Sequence, residues 1–174
     1  MGSASKKSWA SPDNMLTALT NLAASYFSSG QNEKGIDMMR KNYEIQKKLD
    51  LEHGGSCAAA NLANALIREN HFDEAKALLQ PLIASPGDAS RTDEPILLTM
   101  RWMYAMALRD AKKATLDDLV SAKTSLGDVR DRWLRLFGAN HPDFKLVDSE
   151  FEETRRRLTH ARLSGKIYRV PGAK

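Results

Sequence analysis

The sequence predicts an all-α fold in which helical hairpins follow one another along the chain. Apolar residues recur at spacings of three and four in several long stretches, which is the period of an amphipathic helix. The 6 Pro and 10 Gly among 174 residues are few, and they fall between those stretches. The two-residue alternation typical of strands is hard to find. With 42% hydrophobic residues, the chain can also build one continuous core.

The apolar periodicity predicts seven helices, the first six of which pair into three hairpins. Gly30 can take the left-handed conformation that ends the first helix. Thr115 suits the N-cap of the sixth, after a turn longer than its counterparts. The predicted helices lie near 13–29, 32–50, 56–69, 72–84, 94–111, 115–137 and 142–163.

The last predicted helix has no partner of its own. Its large apolar residues share a broadly common face, while acidic and arginine residues occupy the rest. An open stack of hairpins needs such a polar-backed helix to cover its end. The face consists of Phe144, Val147, Phe151 and Leu158.

A repeat is the strongest signal in the sequence. Residues 21–26 read NLAASY, and residues 61–66, 40 positions later, read NLANAL. A weaker third copy, MYAMAL at 103–108, follows after a further 42 positions. A breaker and a second periodic stretch follow each copy, so each repeat is one helix-turn-helix unit. Small residues such as Ala23 and Ala63 stand where paired helices must approach closely.

These residues resemble the tetratricopeptide repeat family, specifically its long-period kinesin light chain-like branch. The resemblance rests on the large-small-aromatic pattern at 22–26, the FDEA turn at 72–75 and the FGANHPD signature at 137–143, and it covers roughly residues 11–163. It implies a right-handed α-solenoid of three hairpins plus a C-terminal capping helix. The expected domains are a flexible N-terminus at 1–10, the repeat domain at 11–163 and a basic tail at 164–174.

The resemblance also implies a concave groove, lined by the first helix of each hairpin, that binds a peptide or protein segment. Asn21 and Asn61 occupy equivalent positions, and similar asparagines in the family contact peptide backbone. The alternative is that each amide bonds to a neighbouring helix. The candidate partner-binding residues are Asn21, Phe27, Asn61, Asn64, Arg68, Trp102 and Arg109.

Other candidates in this set have competing interpretations. Arg68 and Arg109 can pair with acidic groups of a partner or can be ordinary surface residues. Trp102, with Met103 and Met106, can form an adaptable apolar pocket, although core packing is the favoured interpretation.

Catalytic chemistry has little support in the sequence. The four histidines lack the spacing of a helical metal pair, and there is no Gly-rich phosphate loop. Cys57 has no histidine partner in its own helix, so a buried or half-buried thiol is expected. The acid pairs at 117–118 and 152–153 are typical of solvated helix faces. We therefore expect no enzyme activity, no cofactor and no metal.

Composition also bears on the compartment and on a second function. A single cysteine favours a reducing intracellular compartment, above all the cytoplasm, with organelles left open. No apolar run reaches the roughly 20 residues that a membrane helix needs.

The charge distribution bears on a second function. The net charge is +4, and the chain after Thr154 has seven Lys or Arg and no acid. Nucleic-acid binding would rest on that charge alone, because the tail lacks interleaved aromatics. The alternative function is a structural or accessory subunit of a large assembly, held by convex surfaces and the basic tail.

Overall fold

In the computed structural model, residues 12–49, 54–84 and 94–164 are described, and within them the chain is all-helical, with seven helices and no strand. This confirms the predicted number of helices, and their bounds differ from the predicted ones by at most two residues. The predicted N-terminus at 1–10 and the tail beyond Ser164 lie outside the described residues. The helices are α1 (Pro12–Ser28), α2 (Asn32–Lys48), α3 (Gly54–Arg68), α4 (Phe72–Ala84), α5 (Glu94–Asp110), α6 (Leu116–Phe137) and α7 (Pro142–Ser164).

The helix ends follow the local chemistry that the sequence indicates. Gly30 has a φ of 71°, the left-handed conformation expected after α1. The Thr115 side chain accepts from the Asp118 backbone N–H at 3.1 Å, while the Asp118 carboxylate accepts from the Thr115 N–H at 2.7 Å. This reciprocal capping box confirms Thr115 as the N-cap of α6.

The chain divides into two compact units, residues 1–58 and 59–174. In the first unit, α1 packs against α2 through Ala23 and Ile36, both fully buried. Gly35 lets the two helices come close, because a Cβ there would lie 2.7 Å from the ring of Phe27. Leu22, the large residue of the repeat pattern at 22–26, is 42% exposed.

In the second unit, each helix from α4 to α7 packs against the next. One cluster joins α3, α4 and α5 through Ala63, Leu79 and Met100. A second joins α5, α6 and α7 around Leu98 and Val147. The larger core therefore lies at the C-terminal end of this unit.

Helix α7 buries the face that its sequence predicts. Val147 and Leu158 are buried, and Phe144 and Phe151 are half-buried against the α5–α6–α7 cluster. Thr154, which the apolar pattern did not include, is also fully buried. Its hydroxyl donates to the Glu150 carbonyl oxygen of the preceding turn at 2.8 Å, so the buried polar group is satisfied. The opposite side of α7 is mainly polar and exposed.

Candidate functional site

Two turns in the chain have the same backbone geometry and lie 40 residues apart. After α1, the Gln31 N–H donates to the Tyr26 carbonyl at 2.9 Å and the Gly30 N–H to Phe27 at 3.1 Å. After α3, the His71 N–H donates to Leu66 at 2.8 Å and the Asn70 N–H to Ile67 at 3.0 Å. Both pairs form a Schellman motif, with Gly30 and Asn70 at positive φ. The sequence repeat therefore corresponds to a structural repeat at this turn.

The first helix of the second hairpin, α3, has an exposed polar face. Cys57, Asn61, Asn64 and Arg68 are all exposed, and their spacing of i, i+4, i+7 and i+11 places them on one side of the helix. We call these four residues the α3 stripe. On the other side, Leu62, Ala63 and Leu66 are buried. Local periodicity alone thus presents two amides, a thiol and a guanidinium in a line.

The amides of the α3 stripe have no partner within the described part of the chain. Asn61 and Asn64 make no side-chain hydrogen bond there, and neither does Asn21 on α1. A side-chain amide offers two donors and one carbonyl acceptor, so each can bind a second polypeptide backbone. The alternative interpretation, that Asn21 and Asn61 bond to neighbouring helices, is not supported among these residues.

Asn42, which the helix periodicity does not single out, joins two helices. It is 8% exposed, and its Nδ2 donates to the Leu16 carbonyl oxygen at 3.1 Å and to the Thr20 hydroxyl at 3.0 Å. Asn42 thereby ties α2 to α1 within the hairpin. Its sequence neighbours give no periodic signal for this, because the contact spans 26 positions.

The two candidates on α1 have different surroundings. Asn21 is exposed, as expected for a residue that contacts a partner. Phe27 is half-buried and its ring lies over Gly35 of α2, so part of its surface serves the hairpin itself. Both belong to the first compact unit, whereas the amides of the α3 stripe belong to the second.

Trp102 on α5 is mainly a packing residue. It is half-buried against the cluster formed by α5, α6 and α7. Its indole N–H is buried and has no hydrogen-bond acceptor in the described part of the chain. Met103 packs in the same way against the cluster of α3, α4 and α5. These contacts agree with the core interpretation of this segment.

Arg109 is the candidate whose position differs most from expectation. It was expected on an exposed face, but it is 7% exposed and its guanidinium binds groups of its own chain. Its Nε and one terminal nitrogen donate to both Asp110 carboxylate oxygens, at 2.9 and 2.7 Å, and another terminal nitrogen pairs with Glu150 of α7. The expectation of a surface residue was therefore wrong. Arg109 uses its donors within the chain and is a buried link between α5 and α7.

The surroundings of Arg109 hold it in the charged form. Burial alone would lower its pKa, but the hydrogen bonds and negative charges of Asp110 and Glu150 outweigh burial and raise the pKa above its ordinary value. Arg157 of α7 adds a further bond to Asp110 at 2.7 Å and one to Glu153 at 2.8 Å. The Arg157 hydrogen bond in turn lowers the pKa of Glu153. We call these five residues the ion network.

Among the described residues, no group of three or more His, Cys, Asp or Glu side chains could hold a metal ion. Cys57 is exposed rather than buried or half-buried as expected, because it belongs to the outward face of α3. No helix in the described ranges is long and apolar enough to cross a bilayer.

Comparison with known proteins adds no relative. No family model matches the chain, and no curated protein or solved structure is significantly similar to it.

Proposed function

We propose that this chain is a non-catalytic protein-interaction scaffold that binds a peptide or protein segment along the first helices of a tetratricopeptide-like array. In this proposal the three hairpins form a right-handed solenoid, and α7 caps its C-terminal end. Asn21 and Asn61 contact the backbone of the bound segment, and Asn64 and Arg68 contact it further along α3.

The observation that carries the proposal is the α3 stripe. An exposed helix face of amides and one guanidinium, without partners among the described residues, can bind a polypeptide in extended form. The repeated Schellman turn supports the array, because it shows that Asn21 and Asn61 precede the same kind of turn in successive hairpins. Amides recognise backbone whatever its sequence, so side-chain selectivity must come from other residues.

The charge of the α3 stripe limits which charges the bound segment can carry. Arg68 is its one charged residue, and it is exposed. Arg109 is neutralised by Asp110 and Glu150, so it offers little to an acidic ligand. We therefore expect the bound segment to be largely neutral, with one acidic group placed near Arg68.

The alternative is a structural or accessory subunit held by its outer helices and the basic tail. One observation favours it. Leu116 and Val120, one turn apart at the start of α6, are 39 and 36% exposed, and Leu134 near its other end is 41% exposed. Exposed apolar side chains are a common feature of surfaces that bind another protein.

The test begins with affinity capture and mass spectrometry, followed by binding measurements with the recombinant partner. Changing Asn21 and Asn61 together to Ala should weaken binding by on the order of 1–3 kcal/mol, because bound peptide groups lose their hydrogen bonds. Gln80→Ala is the matched control, since it removes an exposed amide from α4, the second helix of its hairpin. Circular dichroism should show unchanged helicity in all variants.

Two results would decide between the functions. If the Asn variant binds as tightly as the wild type while Leu134→Asp or deletion of residues 165–174 abolishes association, the subunit function replaces the groove. If the Asn variant unfolds and the affinity of its remaining folded fraction is unchanged, the asparagines serve the fold and the groove proposal fails.

A further inference from the structure

One side of α1 differs from the equivalent side of α5. The repeat offsets of 40 and 42 residues relate Met15, Ala18, Leu22 and Ser25 of α1 to Leu97, Met100, Tyr104 and Ala107 of α5. On α5 this side is covered within its own unit, where Leu97 and Met100 cluster with Leu79 of α4. Leu97, Met100 and Ala107 are at most 8% exposed. On α5, therefore, this side packs against α4, the second helix of the preceding hairpin.

On α1 the same side lies open. Met15 is 46% and Leu22 42% exposed; Ala18 between them and Ser25, one turn beyond Leu22, are exposed as well. We call these four residues the α1 face. Large apolar side chains that alternate with small ones along one helix side are the pattern of a helix-packing surface rather than of a solvated one.

The charge of the α1 face limits what can cover it. No Asp, Glu, Lys, Arg or His occurs between Asp13 and Glu33. A partner helix would gain no ion pair from this face, and any charge that it buried there would remain uncompensated. A second neutral helix is the compatible occupant, and α1 of another copy meets that condition without like-charge repulsion.

The order of large and small residues makes the α1 face complementary to itself. When two α1 helices pack antiparallel about a twofold axis at the level of Thr20, Met15 lies opposite Ser25 of the other copy, and Ala18 lies opposite Leu22. Each large side chain then meets a small one, which is how ridges of one helix fill grooves of another. A parallel arrangement would place large against large and small against small.

We propose that the α1 face is a homodimer interface, in which two copies of this chain pack antiparallel through Met15, Ala18, Leu22 and Ser25. The contact is a single helix pair, so it forms a weak dimer of the small-interface class. It is isologous, and it therefore closes at two copies and does not grow into a filament. This interface does not involve the α3 stripe and goes beyond the proposed function; Asn21, which that function assigns to a bound segment, borders it one turn from Ala18 and Ser25.

The full chain is examined by sedimentation velocity and light scattering across a concentration series reaching roughly 100 μM, where a weak interface becomes occupied. The mass should rise from 19.4 kDa toward twice that value. Leu22→Lys should raise the dissociation constant at least about tenfold. Thr17→Lys, at another exposed position of α1, is the matched control and should dimerise like the wild type.

A charge pair tests the antiparallel register. Met15→Glu alone should weaken the dimer, and Met15→Glu combined with Ser25→Lys should restore it, because each Glu then faces a Lys of the other copy. Added salt should weaken only this restored dimer. A monomer at every concentration, a dimer that tolerates Leu22→Lys, or a double variant no better than Met15→Glu would each overturn the proposal. Should Leu22→Lys lose helicity, the charge pair alone decides.

Discussion

The hairpin of α1 and α2 and the three-helix packing of α5, α6 and α7 share a repeat pattern but are held together differently. In the first, Ala23 and Ile36 are fully buried, and one amide, Asn42, ties the two helices. In the second, an apolar cluster is joined by the ion network, which links the C-terminal end of α5 to the middle of α7. The repeat thus sets where helices lie, while each region has its own stabilising contacts.

The two regions also differ in how they use their polar side chains. The C-terminal region uses its charged side chains on each other, and Arg109 is the clearest case. The first helices α1 and α3 keep the amides of Asn21, Asn61 and Asn64 exposed. Residues not needed for packing are the ones free to evolve contacts with a partner.

The largest expected effect comes from removing α7. Ending the chain after His141 takes away Val147, Leu158 and the two half-buried phenylalanines, each worth about 1.5–3 kcal/mol when fully buried. The α5–α6 hairpin would then expose Leu126 and Val129, so we expect loss of at least about 5 kcal/mol of unfolding free energy and aggregation on heating. Thermal unfolding followed by circular dichroism measures this.

The matched control ends the chain after Ser164 and therefore keeps α7 intact. It should melt like the full chain. A soluble protein that ends at His141 and melts at the same temperature as this control would show that α7 is not a cap.

The second effect concerns the ion network. Arg109→Met should cost about 3–5 kcal/mol, because it leaves Asp110 and Glu150 close together in a partly desolvated site without their shared cation. Arg155→Met removes an exposed pair with Glu152 and should cost less than about 1 kcal/mol. Urea unfolding of the two variants gives both values, and equal losses would contradict a buried link between α5 and α7.

A third, smaller effect tests the tie in the first hairpin. Asn42→Ala should cost about 1–3 kcal/mol, because the Leu16 carbonyl oxygen and the Thr20 hydroxyl each lose a buried donor. Asn21→Ala removes an exposed amide and should leave the unfolding free energy within about 0.5 kcal/mol of the wild type. The reverse order of these two effects would make Asn21 the structural residue and would weaken the proposed groove.

The helices could be predicted from the sequence because their determinants are local. Helix periodicity, Gly30 and Thr115 act over a few residues, and each has the structure expected of it. Periodicity also placed Asn61 and Asn64 on an outward face. It could not place Arg109, whose partner Glu150 lies 41 positions away; Asp110 beside it pairs with Arg157, 47 positions from Asp110.

The smallest expected effect is a pH dependence from Glu153. The Arg157 hydrogen bond holds the pKa of Glu153 below its ordinary value of 4.5 in the folded chain. A carboxyl whose folded pKa is depressed contributes stability above its unfolded pKa, and the contribution disappears as the pH falls through the folded pKa. We therefore expect unfolding free energy to decrease below about pH 4.5, and Glu153→Gln to reduce that decrease. The reduction should be small because the Glu153 side chain is 37% exposed.

Urea midpoints measured on both sides of this pH give the slope of unfolding free energy against pH for the wild type, Glu153→Gln, Arg157→Met and the double variant. If the pair is the cause, the double variant has the same slope as Glu153→Gln. An acid-side slope left intact by Glu153→Gln would assign the pH dependence to other carboxylates.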